Sequence, residues 1–273
     1  MTLDIHTRLP LNDGHAIPQL GLGVWMIRNG QDCEKAVLAA LEAGYRHIDT
    51  ASFYGNEESV GAAVRASGIK REQIYVTTKL WNSDHGDPAG AFDNSLRRLG
   101  MDYIDLYLIH YPVAERIRSW RELESFKSQG KARSIGVSNF TIRHLQELKD
   151  QSDTVPAVNQ VEFHPYLFQK ELLEYCRRDG IVLQAYSPLT HGERLKDSKL
   201  VKLAKRYPGK SPAQVLIRWA LQHETVVLPK SANVKRISEN ANVYDFELSA
   251  DDMQRLNGFN EDLRTCWDPT EAP

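Results

Sequence analysis

The chain has 273 residues, 41% apolar and 26% charged, a balance that permits one sizeable hydrophobic core. Its formal net charge of −2 excludes the basic excess or stripe that a nucleic-acid surface needs. No stretch approaches the roughly 20 apolar residues of a membrane span, and the opening MTLDIHTRLP carries charges and a proline where a secretory signal needs an apolar run. Three scattered cysteines, Cys33, Cys176 and Cys266, have no metal-binding spacing and fit a reducing cytoplasm better than a disulfide framework, so a cytoplasmic protein is expected.

In chain order, RLPLNDGHAIPQL reads as a hairpin turned at Asn12-Asp13-Gly14. Short β-branched runs then predict strands at 20–24, 45–49, 73–78, 103–109, 133–137, 157–162, 181–185 and 225–228. Amphipathic stretches such as DCEKAVLAALEAG, EESVGAAVRASG and DPAGAFDNSLRRLG lie between them; all three end at glycine, as helices should. Eight βα units in one domain spanning 1–273 point to a closed parallel barrel whose floor the hairpin covers. The rival, a doubly wound sheet, wants G-x-G-x-x-G after the first strand, and GLGVW does not supply it. The aperiodic tail 260–273 reads as a loop over the barrel.

The strand ends deliver Trp25, Asp49, Lys79, His110, Ser138-Asn139, Gln160, Tyr186-Ser187 and Lys230. Singly, each is as well explained as a polar residue that terminates an apolar strand. In a parallel barrel, however, all of these ends share one face, where loops rather than packing decide residue choice. Asp49 and Lys79 come from consecutive strands and suit a buried ion pair; a charged Lys79 would make the nearby phenol of Tyr54 more acidic. His110 is placed to hold a carbonyl oxygen while Tyr54 delivers a proton. Trp25, Trp81 and Tyr111 would wall the site for small organic substrates. After the last strand come Lys230, Ser231 and a helix opening near Asn233 with Arg236 in its first turns. These make either a phosphate site or a solvated basic face, and the position after strand eight favours phosphate.

The segment GYRHIDTASFYGNEESVG, followed in order by VTTKLW, DLYLIH, IGVSNF, VNQVEFHP, QAYSPL and LPKSANVKRISEN, resembles the aldo-keto reductase family over essentially the whole chain, closest in pattern to its bacterial and protozoan small-carbonyl reductases. The resemblance implies a (β/α)8 TIM barrel and NADPH-dependent reduction of small aldehydes and ketones by a tetrad of Asp49, Tyr54, Lys79 and His110. It implies NADPH lying across the barrel mouth beside Val24 and Trp25, its nicotinamide stacked on Tyr186 and its carboxamide held by Ser138, Asn139 and Gln160. Ser187 and Leu189 would pass beneath the pyrophosphate; Lys230, Ser231 and Arg236 would take the 2′-phosphate, with Glu239 and Asn240 near the adenine. Trp25, Trp81, His110 and Tyr111 would face a small carbonyl substrate, in a monomer with no metal and no nucleic-acid or membrane partner. The chain departs from the family in Tyr111, where many members carry Trp, and in the compact segments YPVAERIRSW and SPLTHGERLKDSKL; both predict an open, permissive pocket. The tail NEDLRTCWDPTEAP either brings Trp267 into that pocket or packs it outside the barrel. Rival functions are an aldolase with Lys79 as Schiff base, a metal-dependent hydrolase and a cofactor-binding protein without activity.

Overall fold

A computed structural model describes residues 3–273, which leaves Met1 and Thr2 of the charged opening stretch outside it. The expected hairpin is present: β1 (Arg8–Pro10) pairs antiparallel with β2 (Ala16–Pro18). Gly14 turns it at φ 87°, a left-handed conformation that glycine adopts without steric cost.

Eight parallel strands follow in sequential order: β3 (Leu22–Gly23), β4 (His47–Asp49), β5 (Tyr75–Leu80), β6 (Ile104–Ile109), β7 (Ala132–Ser138), β8 (Val158–Glu162), β9 (Val182–Tyr186) and β10 (Val226–Leu228). The sheet closes on itself through bridges from Leu20 to Val227 and from Gly23 to Lys230, giving a (β/α)8 barrel. All eight expected strands occur. The first is shorter than the 20–24 run because it sits at the closing seam, where the Gly21 and Gly23 amides reach Val227 and Pro229 carbonyls at 2.9 and 3.2 Å. A Cβ on Gly21 would stand 2.8 Å from the His47 ring and from Leu228, so the seam needs a glycine there.

Helices α1 (Gln31–Glu42), α2 (Glu57–Ala66), α3 (Pro88–Leu99), α4 (Arg116–Ser128), α5 (Ile142–Gln151) and α6 (Lys170–Arg178) each follow one strand. The β9–β10 connection carries two, α7 (Ser198–Ala204) and α8 (Pro212–Gln222). After β10 come α9 (Val234–Ala241) and α10 (Ala250–Asn257). The Asp87 side chain caps α3 by accepting from the Gly90 amide, and Gly100 ends the helix at φ 62°, as the acidic start and terminal glycine required. None of the described helices is long and apolar enough to cross a membrane.

The barrel interior is divided. Its lower half is apolar, with Leu11 and Ile17 near the hairpin packing under Tyr75, Leu106, Leu108 and Leu228. Its upper half is polar, because alternate residues of a strand share a face: His47 and Asp49 on β4, Thr77 and Lys79 on β5, Gln160 on β8 and Gln184 on β9 are all buried. His47 Nε2 lies 3.0 Å from Thr77 Oγ1, and burial pulls its imidazole down to about 3, so it is neutral in the folded chain. Outside the barrel, α2 and α3 meet at Gly61, where a Cβ would fall 1.9 Å from the Leu99 carbonyl oxygen. Gly61→Ala should therefore destabilise the fold by about 1–3 kcal/mol in chemical denaturation, although helix propensity alone favours alanine by about 1 kcal/mol; a rise in stability would show that α2 is free to retreat from α3.

Candidate active site

The loop after β4 places Tyr54 by several independent ties. Ser52–Tyr54 form one 3₁₀ turn, which Gly55 ends at φ 66°. Ser52 Oγ donates to the Lys79 carbonyl at 3.0 Å. Asn56, fully buried, accepts from Thr50 Oγ1 at 2.7 Å and donates to the Val24 and Ile27 carbonyls, both at 3.0 Å. The loop is thus tied to the strand-end segments on either side of it.

Parallel register sets Asp49 beside Thr77, one inward position below Lys79. All three hydrogens of the Lys79 ammonium are committed: to Asp49 Oδ1 at 2.7 Å, to the Thr50 carbonyl at 2.7 Å and to the Tyr54 hydroxyl oxygen at 3.3 Å. Asp49 Oδ2 accepts from Gln160 Nε2 at 2.7 Å, and that amide also donates to Gln184 Oε1 at 2.8 Å. Burial lifts the Asp49 carboxyl and pulls the Lys79 ammonium down, while their mutual attraction opposes both movements. Because Lys79 donates to the phenol oxygen, the phenol's own hydrogen is free to point elsewhere.

One sequence expectation is corrected here. Lys79 was expected to make the Tyr54 phenol more acidic, but burial, with Asp49 adding to it, holds that phenol well above 10. The ion pair is close to neutral as a unit, so the ammonium does not win against desolvation; Tyr54 is a firmly protonated acid.

The His110 ring stands edge-on to Tyr54, 5.7 Å between centroids. Burial and the Lys79 charge hold its imidazole well below 6.5. Its Nδ1 is buried and has no hydrogen-bond partner among the described residues. A neutral imidazole carries one hydrogen, and an unpartnered buried N–H costs more than an unpartnered lone pair, which places that hydrogen on Nε2.

An aromatic wall surrounds His110. Trp81 lies 5.0 Å from it and Tyr111 stacks on it at 5.2 Å and 13°. Sequence reasoning missed Phe53, which is 52% exposed and stacks on Trp81 at 3.8 Å; an apolar residue directly before Tyr54 in a tight loop was the available signal. The tail's Trp267, left open from the sequence, joins this wall 4.9 Å from Tyr111. The Trp25 ring lies 5.4 Å from that of His191.

On the other side of the mouth, Ser138 Oγ donates to the Gln160 carbonyl, and Asn139, at φ 62°, donates to the His110 carbonyl at 2.9 Å. The Tyr186 hydroxyl donates to Asn139 Oδ1 at 2.8 Å, which anchors the outer end of its ring. In the following loop Ser187, Thr190 and His191 adopt left-handed conformations (φ 48°, 51° and 51°), whereas Leu189 between them does not, and Ser187 Oγ contacts His191 Nε2 at 2.9 Å. Asn233 caps α9 by accepting from the Arg236 amide at 3.1 Å. Lys230 and Arg236 are exposed and have no carboxylate in ion-pair range among the described residues, while Ser231 and Asn240 are buried beside them and Glu239 is half-buried. Two free cations, a hydroxyl and a capped helix start form a donor set suited to a phosphate monoester.

The sequence matches the profile of the Aldo/keto reductase family over residues 19–261. It is 46% identical to a glyoxal reductase of Bacillus subtilis (strain 168), covering 99% of this chain and 99% of that protein. It is 48% identical to a 9,11-endoperoxide prostaglandin H2 reductase of Trypanosoma cruzi (strain CL Brener), covering 95% and 93%. An aldo-keto reductase of Bombyx mori, solved in complex with NADP, superposes with a TM-score of 0.90 at 36% identity, covering 98% of this chain and 97% of that one. A barrel whose strand ends gather an ion pair, a phenol and an imidazole thus coincides with likeness along nearly the whole sequence, and the chain belongs to the aldo/keto reductase family, NADP-dependent oxidoreductases that reduce carbonyls to alcohols.

Proposed function

We propose that this chain reduces small aldehydes and ketones with NADPH as hydride source and Tyr54 as proton donor. The observation that carries the reading is the Tyr54 hydroxyl oxygen receiving a hydrogen bond from buried Lys79 while edge-on to His110, which leaves the phenol hydrogen for a substrate. The glyoxal reductase relative supports a small carbonyl substrate, and the NADP-bound neighbour supports the cofactor.

A bound reduced nicotinamide supplies the hydride. Tyr54, protonated throughout the neutral range, passes its proton to the carbonyl oxygen as negative charge develops there. Lys79 stabilises the resulting phenolate across the 3.3 Å contact, and Asp49 holds Lys79 in place. Neutral His110 donates from Nε2 to the same carbonyl oxygen and orients it. The aromatic wall of Phe53, Trp81, Tyr111 and Trp267 excludes water from the reacting carbonyl. With Lys79 spending all three hydrogens as an ammonium, it has no lone pair for a Schiff base, which disfavours the aldolase alternative.

For the cofactor, Tyr186 offers a fixed ring for stacking. Gln160, having spent its amide hydrogens on Asp49 and Gln184, offers its oxygen to a carboxamide N–H. Ser138 and Asn139 would complete that edge with Val24 and Trp25, Ser187 and Leu189 would hold the pyrophosphate, and Glu239 and Asn240 the adenine. Lys230, Ser231 and Arg236 would take the 2′-phosphate, the group that separates NADPH from NADH.

Tyr54→Phe should lower turnover about 10²–10⁴-fold, the usual worth of a positioned general acid, with NADPH affinity by fluorescence titration unchanged; wild-type turnover in that variant would end the assignment. The pH profile of kcat for reduction should cross 6.5 without a step, because His110 is already neutral there, and should fall only above 10 as Tyr54 loses its proton; an inflection near 6.5 would show a titrating imidazole instead. Arg236→Ala should raise the NADPH Kd about 10- to 100-fold through loss of a charge-assisted contact and leave the NADH Kd alone; equal losses for both cofactors would remove the 2′-phosphate from its role.

A further inference from the structure

The tail does not simply lie over the barrel; it is fastened along the segment that follows β8. The Phe168 amide donates to Asn260 Oδ1 at 2.9 Å. The Glu261 and Leu263 amides donate to the Tyr166 carbonyl at 3.2 and 3.0 Å. The final rungs, nearest the mouth, use a side chain instead of backbone: Glu162 Oε1 accepts from the Thr265 amide at 2.8 Å and from Thr265 Oγ1 at 2.5 Å, and Oε2 accepts from the Cys266 amide at 3.2 Å. His164 Nε2 lies 3.2 Å from the same carboxylate. The next residue is Trp267.

Glu162 is 1% exposed and ends β8 two residues beyond Gln160, on the same inward face. Burial pushes its carboxyl up, but the hydrogen bonds from His164 and Thr265 outweigh that and bring it below 4.5, so it is a carboxylate at neutral pH. A buried carboxylate has no reason to sit at a barrel mouth unless its donors hold it, and here most of its donors belong to a distant piece of chain. Sequence reasoning placed Glu162 at the end of the 157–162 strand and within a family block, and gave it no role.

We propose that Glu162 is a positioning residue for substrate recognition: its buried carboxylate latches the C-terminal tail across the mouth and so holds Trp267 against Tyr111. The reading rests on the proposed carbonyl reduction for its effect on substrates, but not for the latch itself. Trp267 is 52% exposed and meets the body of the barrel edge-on through Tyr111; the Glu162 rung ties the two residues directly before it, and the tail is next tied to the barrel body at Ala272, whose carbonyl accepts from Arg143. Substrates large enough to touch Trp267 depend on the latch; those that reach only Tyr54 and His110 do not.

Hydrogen–deuterium exchange on the full chain reads the latch without substrate. In Glu162→Gln, the peptide covering 260–273 should exchange at least about tenfold faster, while peptides from β5 to β7 keep wild-type protection. An unchanged tail, or protection lost throughout the barrel, overturns the proposal. Should E162Q fail to fold, Thr265→Val, which removes one hydroxyl donor, should loosen the same peptide alone, and a tail as protected as wild type would be the contrary result. In steady-state assays, E162Q and Trp267→Ala should each raise KM for 2-naphthaldehyde about tenfold more than KM for glyoxal, or about 1.4 kcal/mol, and the excess should not grow when the two are combined. Independent, additive effects overturn the coupling between the two residues. A wild-type chain inert toward both aldehydes would count against the reductase reading while the exchange result stood on its own.

Discussion

The ammonium of Lys79 is the group around which the mouth of this barrel is organised. Taking an ammonium and a carboxylate out of water costs several kcal/mol per ion unless every hydrogen and lone pair finds a partner. Here Asp49 arrives from the neighbouring strand at the right height by register, Thr50 contributes its carbonyl, and Gln160 completes the carboxylate from across the barrel. The remaining Lys79 hydrogen then falls to Tyr54. The loop bearing that tyrosine is also tied to the Lys79 backbone through Ser52. Ion pair and phenol are in this sense one unit, and disturbing either strand or loop disturbs both.

Much of this was legible beforehand. Strands buried on both faces read as continuous β-branched runs, which is why all eight emerge with their ends nearly in place. A strand end is also where the chain leaves the core, so the residues Asp49, Lys79 and His110 announced a common face. What was not legible depends on contacts between distant segments. Nothing local in Asn56 says that it will hold the Val24 and Ile27 carbonyls, and nothing in Thr265 points to Glu162, more than a hundred residues earlier. The acidity of Tyr54, though not its role as proton donor, was read differently from sequence for a related reason: sequence reveals which charges are near but not how much water has been removed from around them.

The mouth is asymmetric in chemistry. Aromatic rings gather around His110 on the side of the β4–β6 loops and the tail, whereas free cations and the capped start of α9 lie beyond β10. Between them runs a loop with three left-handed residues that lack the licence of glycine, each costing of order 1–3 kcal/mol. Such a loop persists because its surroundings hold it, among them the contact of Ser187 with His191 and of His191 with Trp25.

His47 sits beneath this machinery, a neutral imidazole in the polar half of the barrel core. Burial drags it from 6.5 to about 3, so between those values the folded chain refuses a proton that the unfolded chain accepts. Folding free energy therefore declines as the medium acidifies through that window, and the contribution is intact above 6.5. Acid below pH 6.5 thus lowers the stability of the fold through an imidazole of its core, before carboxylates of ordinary affinity have taken up their protons.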